Sequence, residues 1–383
     1  MNKYFNIIAV SLISLLVAQC NSQNELVSTH YSKIWNSETV QSIEKRIENL
    51  SCSGNAYNLM SLRAYLGANN AAIKELQDKN SIESQLSIIE NLINSAEKSR
   101  DIQNNKSPYN DEFRGWTSKR DNGTKNLEVP LYESYAFFYI AQFLYLSHTT
   151  DWYINSKQNQ RRWNTILSFV ETQIWTKWYE RSKPVKGNHY WYFLRGRTHM
   201  GSHWAGVAMY LNKLSQNKQI KEQTKILIQQ YDTLLKRNLK SIGRAYVWNA
   251  TYDDVSNTDA SKAKENIIQD GSHGNHVVSY VIAAYELGNP NWTLQDVNRL
   301  AYTLVDLMYN ETTNSFNDNV DGSNDKNRPG WGNFVGDGWV KLAAYNEDAK
   351  KVLQNFNENT NKLKKYNQEV QFKSTLLNVL NDE

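Results

Sequence analysis

Cysteine is nearly absent from this chain. Its 383 residues carry two, Cys20 and Cys52, so at most one disulfide could form and no disulfide framework holds the fold. Proline is scarce as well, with five residues, and no Pro/Gly/Ser-rich stretch divides the sequence, which argues for a single domain. Charge of one sign is also missing. Lys and Arg total 43 against 39 Asp and Glu, a net +4, and the two signs are interspersed. A nucleic-acid-binding chain would carry a basic stripe or block. A polyanionic ligand needs only a local basic cleft. Period-two alternation is hard to find, which leaves little room for β-sheet.

The one long apolar run, residues 7–18 behind Lys3, is too short to span a bilayer and has the shape of a secretory h-region. It ends in Val17-Ala18-Gln19-Cys20, which resembles a bacterial lipoprotein lipobox with an unusual Gln before the cysteine. The expectation is an exported protein with residues 1–19 as signal peptide and Cys20 as acylation site. The alternative is a Cys20–Cys52 disulfide in an oxidising compartment. Residues 20–383 then form the one domain, expected as a monomer whose only membrane contact is that anchor.

Trp (12) and Tyr (23) are abundant, and such amphipathic rings line sugar clefts as readily as they fill cores. Apolar residues recur at helical spacing nearly throughout: 34–50, 56–66, 71–76, 82–96, 129–147, 159–179, 220–239, 277–284, 293–309, 339–345, 348–356 and 370–380. These spans predict roughly twelve to fourteen helices. Residues 101–126 and 310–333 read as long polar loops. The pattern fits an all-α class and, within it, an (α/α) toroid, an incomplete barrel of about six to seven helical hairpins. A plain helical bundle has the same periodicity.

Chemistry concentrates in two stretches. Residues 187–211 hold Asn188, His189, Tyr190, Trp191, Arg195, Arg197, His199 and His203; residues 269–288 hold Asp270, His273, Asn275, His276 and Tyr285. Each reads as a polar loop opening a helix, with Ser202 a plausible N-cap in the first, and the two are expected to converge on one cleft. His199 and His203 are four apart, a spacing that zinc sites use on a helix, but Gly201-Ser202 intervenes and HExxH is missing. No metal and no cofactor is expected. GxSxG is missing too. Paired carboxylates for glycoside hydrolysis remain available in Glu133, Asp253, Asp254 and Asp270. The supply of Asn, His, Tyr and Arg fits β-elimination from a uronic acid: a cation or amide neutralises the carboxylate, a base takes the C5 proton, and an acid protonates the leaving oxygen.

Asn188-His189-Tyr190-Trp191 resembles the Asn-His motif followed by aromatics in alginate lyases of the helical-toroid type. Asp270-Gly271-Ser272, with His276 and then Tyr285, is similar to the Asp-Gly-Ser…His…Tyr run of hyaluronate, chondroitin and xanthan lyases, whose catalytic domain is also a helical toroid. No counterpart of the large β-domain that follows it in those enzymes is expected within these residues. The resemblance implies that Asn188 and His189 neutralise the carboxylate or take the proton, with His276 and Tyr285 as a His/Tyr pair. The alginate-lyase pattern of an Arg followed by a Tyr falls instead on Arg244 and Tyr252, with Tyr246 nearer. Tyr285 stands nine residues after His276; one continuous helix would put the two on opposite faces, so the pairing requires His276 to precede the helix. His203 and His273 complete the catalytic candidates. Tyr190, Arg195, Arg197, His199, Asp270, Asn275, Glu133, Trp116 and Trp331 are candidates for binding sugar. The expected activity is a metal-independent lyase acting on an acidic polysaccharide of the alginate or glucuronan kind, in which His189→Ala and His276→Ala abolish turnover without unfolding. The alternatives are a hydrolase of the same architecture and a non-catalytic glycan-binding lipoprotein. Each residue also has a plain reading, as an aromatic-cluster histidine, a paired arginine or a loop anchor.

Overall fold

A computed structural model describes residues 31–76, 79–101, 109–252, 267–356 and 363–381. The leader-like segment with Cys20, and Asp253 and Asp254, lie outside the described residues. Among the described residues the protein is all-α apart from three two-stranded ladders. Its helices are α1 (Ser37–Ser51), α2 (Leu59–Leu76), α3 (Lys79–Asn94), α4 (Pro130–Ser147), α5 (Lys157–Phe169), α6 (Lys177–Lys186), α7 (Thr198–Leu214), α8 (Lys218–Asn238), α9 (Gly271–Glu286), α10 (Leu294–Tyr302), α11 (Gly338–Lys341), α12 (Glu347–Phe356) and α13 (Gln368–Asn381). None among the described residues is long and apolar enough to cross a membrane.

Periodicity located most of these elements, and the misses have physical causes. Two helices were expected at 56–66 and 71–76, but α2 runs through Gly67 and the two asparagines without a break. Asn69 Nδ2 donates to Gln85 Oε1 at 3.0 Å, and Gln85 Nε2 donates to Asn70 Oδ1 at 3.0 Å. The polar pair that reads as a loop is thus buried and satisfied across the α2/α3 contact. Between α5 and α6 the chain widens into π-helix at Val170–Thr176 without losing its buried Val170, Ile174 and Trp175. The residues before the second histidine stretch form a hairpin, β1 (Lys240–Ile242) with β2 (Ala245–Val247), that turns through Gly243 at φ 55°. Three-residue strands leave too little alternation to be read.

Six helices contact one another in succession: α2 with α4, α4 with α7, α7 with α9, α9 with α11, α11 with α13, and α13 with α2. Further helices pack against these, α1 and α3 on α2, α8 on α7, and α10 on α9. The succession also has a direction. The C-terminal parts of α2, α4, α9 and α13, with the turn after α11, line a cavity of about 190 Å³ that includes Lys74, Gln142, Glu286, Tyr345 and Asn378. The side chains described next come from the N-terminal parts of the same elements.

Candidate functional site

The two histidine-bearing stretches meet. Rather than breaking at Gly201-Ser202, α7 is one helix from Thr198. Ser202 is not its N-cap; its hydroxyl donates back to the His199 carbonyl at 2.6 Å. Gly201 is explained by crowding, since a Cβ there would sit 2.5 Å from Tyr252 Oη and 2.8 Å from the Tyr231 ring. One unbroken helix puts His199 and His203 on one face, a turn apart. Likewise α9 begins at Gly271, capped by Asp270, whose Oδ1 accepts from the His273 backbone N–H at 2.9 Å. His273 and His276 are therefore both helical. Across the α7/α9 contact the rings pair, His199 with His273 at 4.2 Å between centroids and His203 with His276 at 4.1 Å.

Two carboxylates flank this cluster. Asp270 Oδ2 lies 2.9 Å from His273 Nδ1 and accepts from Arg328 Nη1 at 3.2 Å. Asp337, just before α11, lies 3.3 Å from His276 Nδ1. Arg63 of α2 also stands against His276, its Nη1 3.0 Å from Nε2, 3.4 Å from Nδ1 and 3.9 Å from Asp337 Oδ2. The guanidinium lies over the ring of Tyr135 in α4, 4.7 Å from its centroid, and Tyr135 in turn stands edge-on to His203 at 4.4 Å. Among the described residues, Arg63 Nε and Nη2 and Tyr135 Oη make no hydrogen bond, and buried His199 Nδ1 and His203 Nε2 have no partner. Of the four histidines only His273 has an appreciably open side chain, at 29 %, with Trp331 5.5 Å away at the rim and Arg328 over that indole at 5.1 Å.

Burial controls the protonation states. It holds His199 and His203 well below the ordinary imidazole range, helped by the neighbouring imidazoles. His276 falls to about 3, lowered first by burial and then by Arg63, with Asp337 opposing. Burial alone would raise both aspartates. His273 and Arg328 outweigh it at Asp270, and Lys341, His276 and Arg63 hold Asp337 well below the carboxylate range. Tyr135 is pushed up to about 12 by burial despite Arg63. At neutral pH the buried imidazoles are free bases and Tyr135 carries its proton.

The other nominated residues lie elsewhere. His189 stacks on Tyr179 at 4.1 Å, and no hydrogen bond or ring contact joins it to the four histidines of the cluster among the described residues; Asn188 accepts from the Tyr190 backbone. Tyr190 donates to the Gln223 carbonyl. Arg195 closes the helical turn Trp191–Leu194 with φ 50°, and Arg197 precedes α7, its charge depressing His199. Because His276 lies within α9, Tyr285 falls on the opposite face, against Tyr345, and the His276/Tyr285 pair cannot reach one sugar. Tyr252 is buried with its hydroxyl unpartnered among the described residues. Arg244 makes a two-point ion pair with Asp306 at 2.7 and 2.9 Å. Asn275 serves the fold: its Oδ1 accepts from the backbone N–H groups of Asp337, Gly338 and Trp339, and its Nδ2 donates to the Phe334 carbonyl. Trp116 is a core residue that donates to Ser95 Oγ. Glu133 is sealed in the interior against Lys177 and Trp178.

The sequence reading missed Arg63, Tyr135, Arg328, Asp337 and Lys341. Arg63 stood alone among apolar residues in Leu59–Leu76, and a lone charge on an apolar helix face is the signal that could have found it. Although four imidazoles gather, no group of three or more His, Cys, Asp or Glu among the described residues is arranged to hold a metal ion. Compared with models of protein families, with curated proteins and with solved structures, the chain matches none.

Proposed function

We propose that the protein is an (α/α)-toroid lyase that cleaves a uronic-acid polysaccharide by β-elimination at the histidine cluster. One observation carries the reading: imidazoles gathered beside a guanidinium whose Nε and Nη2 make no hydrogen bond among the described residues. Elimination needs a base at the C5 proton and a cation at the carboxylate, and this pairing supplies both. Arg63 takes the sugar carboxylate. His273 is oriented through Nδ1 by Asp270, as a general base is oriented by an acceptor, and removes the C5 proton. The C5–H electrons form the C4=C5 double bond, the C4–O bond breaks, and Tyr135 donates its proton to the departing oxygen. Trp331 and Arg328 bind the sugar at the rim. A polymeric substrate also fits the export inferred from the leader-like segment.

Glu133 is neutralised within the fold by Lys177 and Asp270 is engaged by His273 and Arg328, which weakens a carboxylate-pair hydrolase. The test is absorbance in the unsaturated-uronate band, with chelator present, against alginate, glucuronan, hyaluronan, chondroitin and heparan. We expect a rise on at least one. New reducing ends without absorbance would make the protein a hydrolase, and neither signal would leave a glycan-binding protein.

A further inference from the structure

Asp337 stands behind the cluster with its two oxygens doing different things. Oδ1 is anchored from several sides: it accepts from Tyr139 Oη and from Ser279 Oγ at 2.9 Å, and Gln371 Nε2 and Lys341 Nζ approach to 3.4 and 3.5 Å. Its backbone N–H is held by Asn275 Oδ1 at 3.3 Å. Side chains from α4, α9, α11 and α13 thus fix one carboxylate oxygen, and the other is presented to His276 Nδ1 at 3.3 Å. Arg63 Nη1 stands 3.0 Å from the other ring nitrogen, Nε2, and 3.4 Å from Nδ1. A carboxylate can only accept and a guanidinium can only donate, so a neutral imidazole beside both is best satisfied when it is protonated at Nδ1, toward the carboxylate, and bare at Nε2, the nitrogen nearer the guanidinium.

We propose that Asp337 is a positioning residue that acts through His276: it fixes the imidazole as the Nδ1–H tautomer, and the acceptor left at Nε2 holds Arg63 with Nε and Nη2 turned to the substrate carboxylate. Asp337 itself touches no substrate. With the proton on Nε2 instead, an N–H would face Arg63 at the shorter contact and a bare nitrogen would face the carboxylate, which loses the buried hydrogen bond to Asp337 and leaves Arg63 only the longer contact to Nδ1. The turnover consequence rests on the lyase reading; the tautomer does not.

The experiment is nitrogen NMR of the full chain labelled with ¹⁵N at histidine, with the His276 signals assigned by their loss in His276→Gln. At pH 7 we expect Nε2 to show the shift of an unprotonated acceptor and Nδ1 that of a protonated nitrogen. In Asp337→Asn the carboxamide offers a donor as well as an acceptor, so both tautomers should appear. On whichever polymer the absorbance assay identifies, kcat should fall roughly 10- to 100-fold, the range for supporting residues of this kind, with KM within about twofold. An Nε2–H tautomer or an imidazolium in the wild type overturns the proposal, as does an unchanged tautomer in Asp337→Asn. If that variant does not fold, the wild-type spectrum decides alone. Because the spectra are read on the resting protein, a missing substrate and a wrong tautomer give different results.

Discussion

Lys177→Met is expected to destabilise the protein by about 3–5 kcal/mol, the usual result of stranding one member of a buried ion pair. Lys177 Nζ and Glu133 Oε1 are 2.7 Å apart and both side chains are 0 % exposed. The pair closes the contact between α4 and α6, where Trp178 Nε1 donates to the second Glu133 oxygen at 2.7 Å and Lys177 also donates to the Arg114 carbonyl at 3.0 Å. Methionine keeps most of the lysine's length but leaves the carboxylate buried and uncompensated. Burial already raises the Glu133 pKa against the pull of Lys177, so the stranded carboxyl would take up a proton and recover part of the loss. Adding Glu133→Gln removes the stranded charge, and the double variant should regain most of the stability. Chemical denaturation of the four proteins checks this. Unchanged stability in Lys177→Met, with lost turnover, would return Glu133 to the substrate-binding role its position early in a helix suggested.

Acid should unfold the protein earlier than its carboxylates require. A histidine whose folded pKa lies below its unfolded value contributes fully above the unfolded value, near 6.5, and that contribution is lost as pH falls toward the folded value. For His276 the window runs from 6.5 to about 3. At about 1.4 kcal/mol per pH unit, this one ring is expected to lose roughly 2 kcal/mol by pH 5. His199 and His203 are shifted in the same direction by burial, and they add to the loss. Below pH 4 the lowered pKa values of Asp270 and Asp337 act with the same sign. Denaturation midpoints at pH 7 and pH 5 test this: a fall supports neutral buried imidazoles, whereas equal midpoints would mean that they are solvated or already charged.

The sequence showed the helices and the meeting of two histidine runs because both rest on local spacing. Apolar recurrence marked α4 and α8 closely, and four histidines at i, i+4 and i, i+3 marked two faces. It did not show what completes the site. Arg63 lies 213 residues from His276 and Asp337 lies 61 from it, and only packing of α2 and α11 beside α9 brings them together. It also mistook small and polar helix residues for breaks. Gly201 is a seat for Tyr231 and Tyr252, and Gly271-Ser272 is a first turn capped by Asp270. His189, of the Asn188-His189 motif, stacks on Tyr179 rather than on the cluster.

That separation makes one measurement decisive: the initial rate of absorbance gain, on the most responsive polymer, for His273→Gln beside His189→Ala. His273 is half-buried and Gln keeps a donor for Asp270, so its replacement should shift the melting temperature little while turnover falls about 10²- to 10⁴-fold, the contribution of a general base. His189→Ala should keep most of the wild-type rate. The opposite pattern, with His189→Ala inactive and His273→Gln active, would contradict a site at the histidine cluster and move the chemistry to Asn188 and His189.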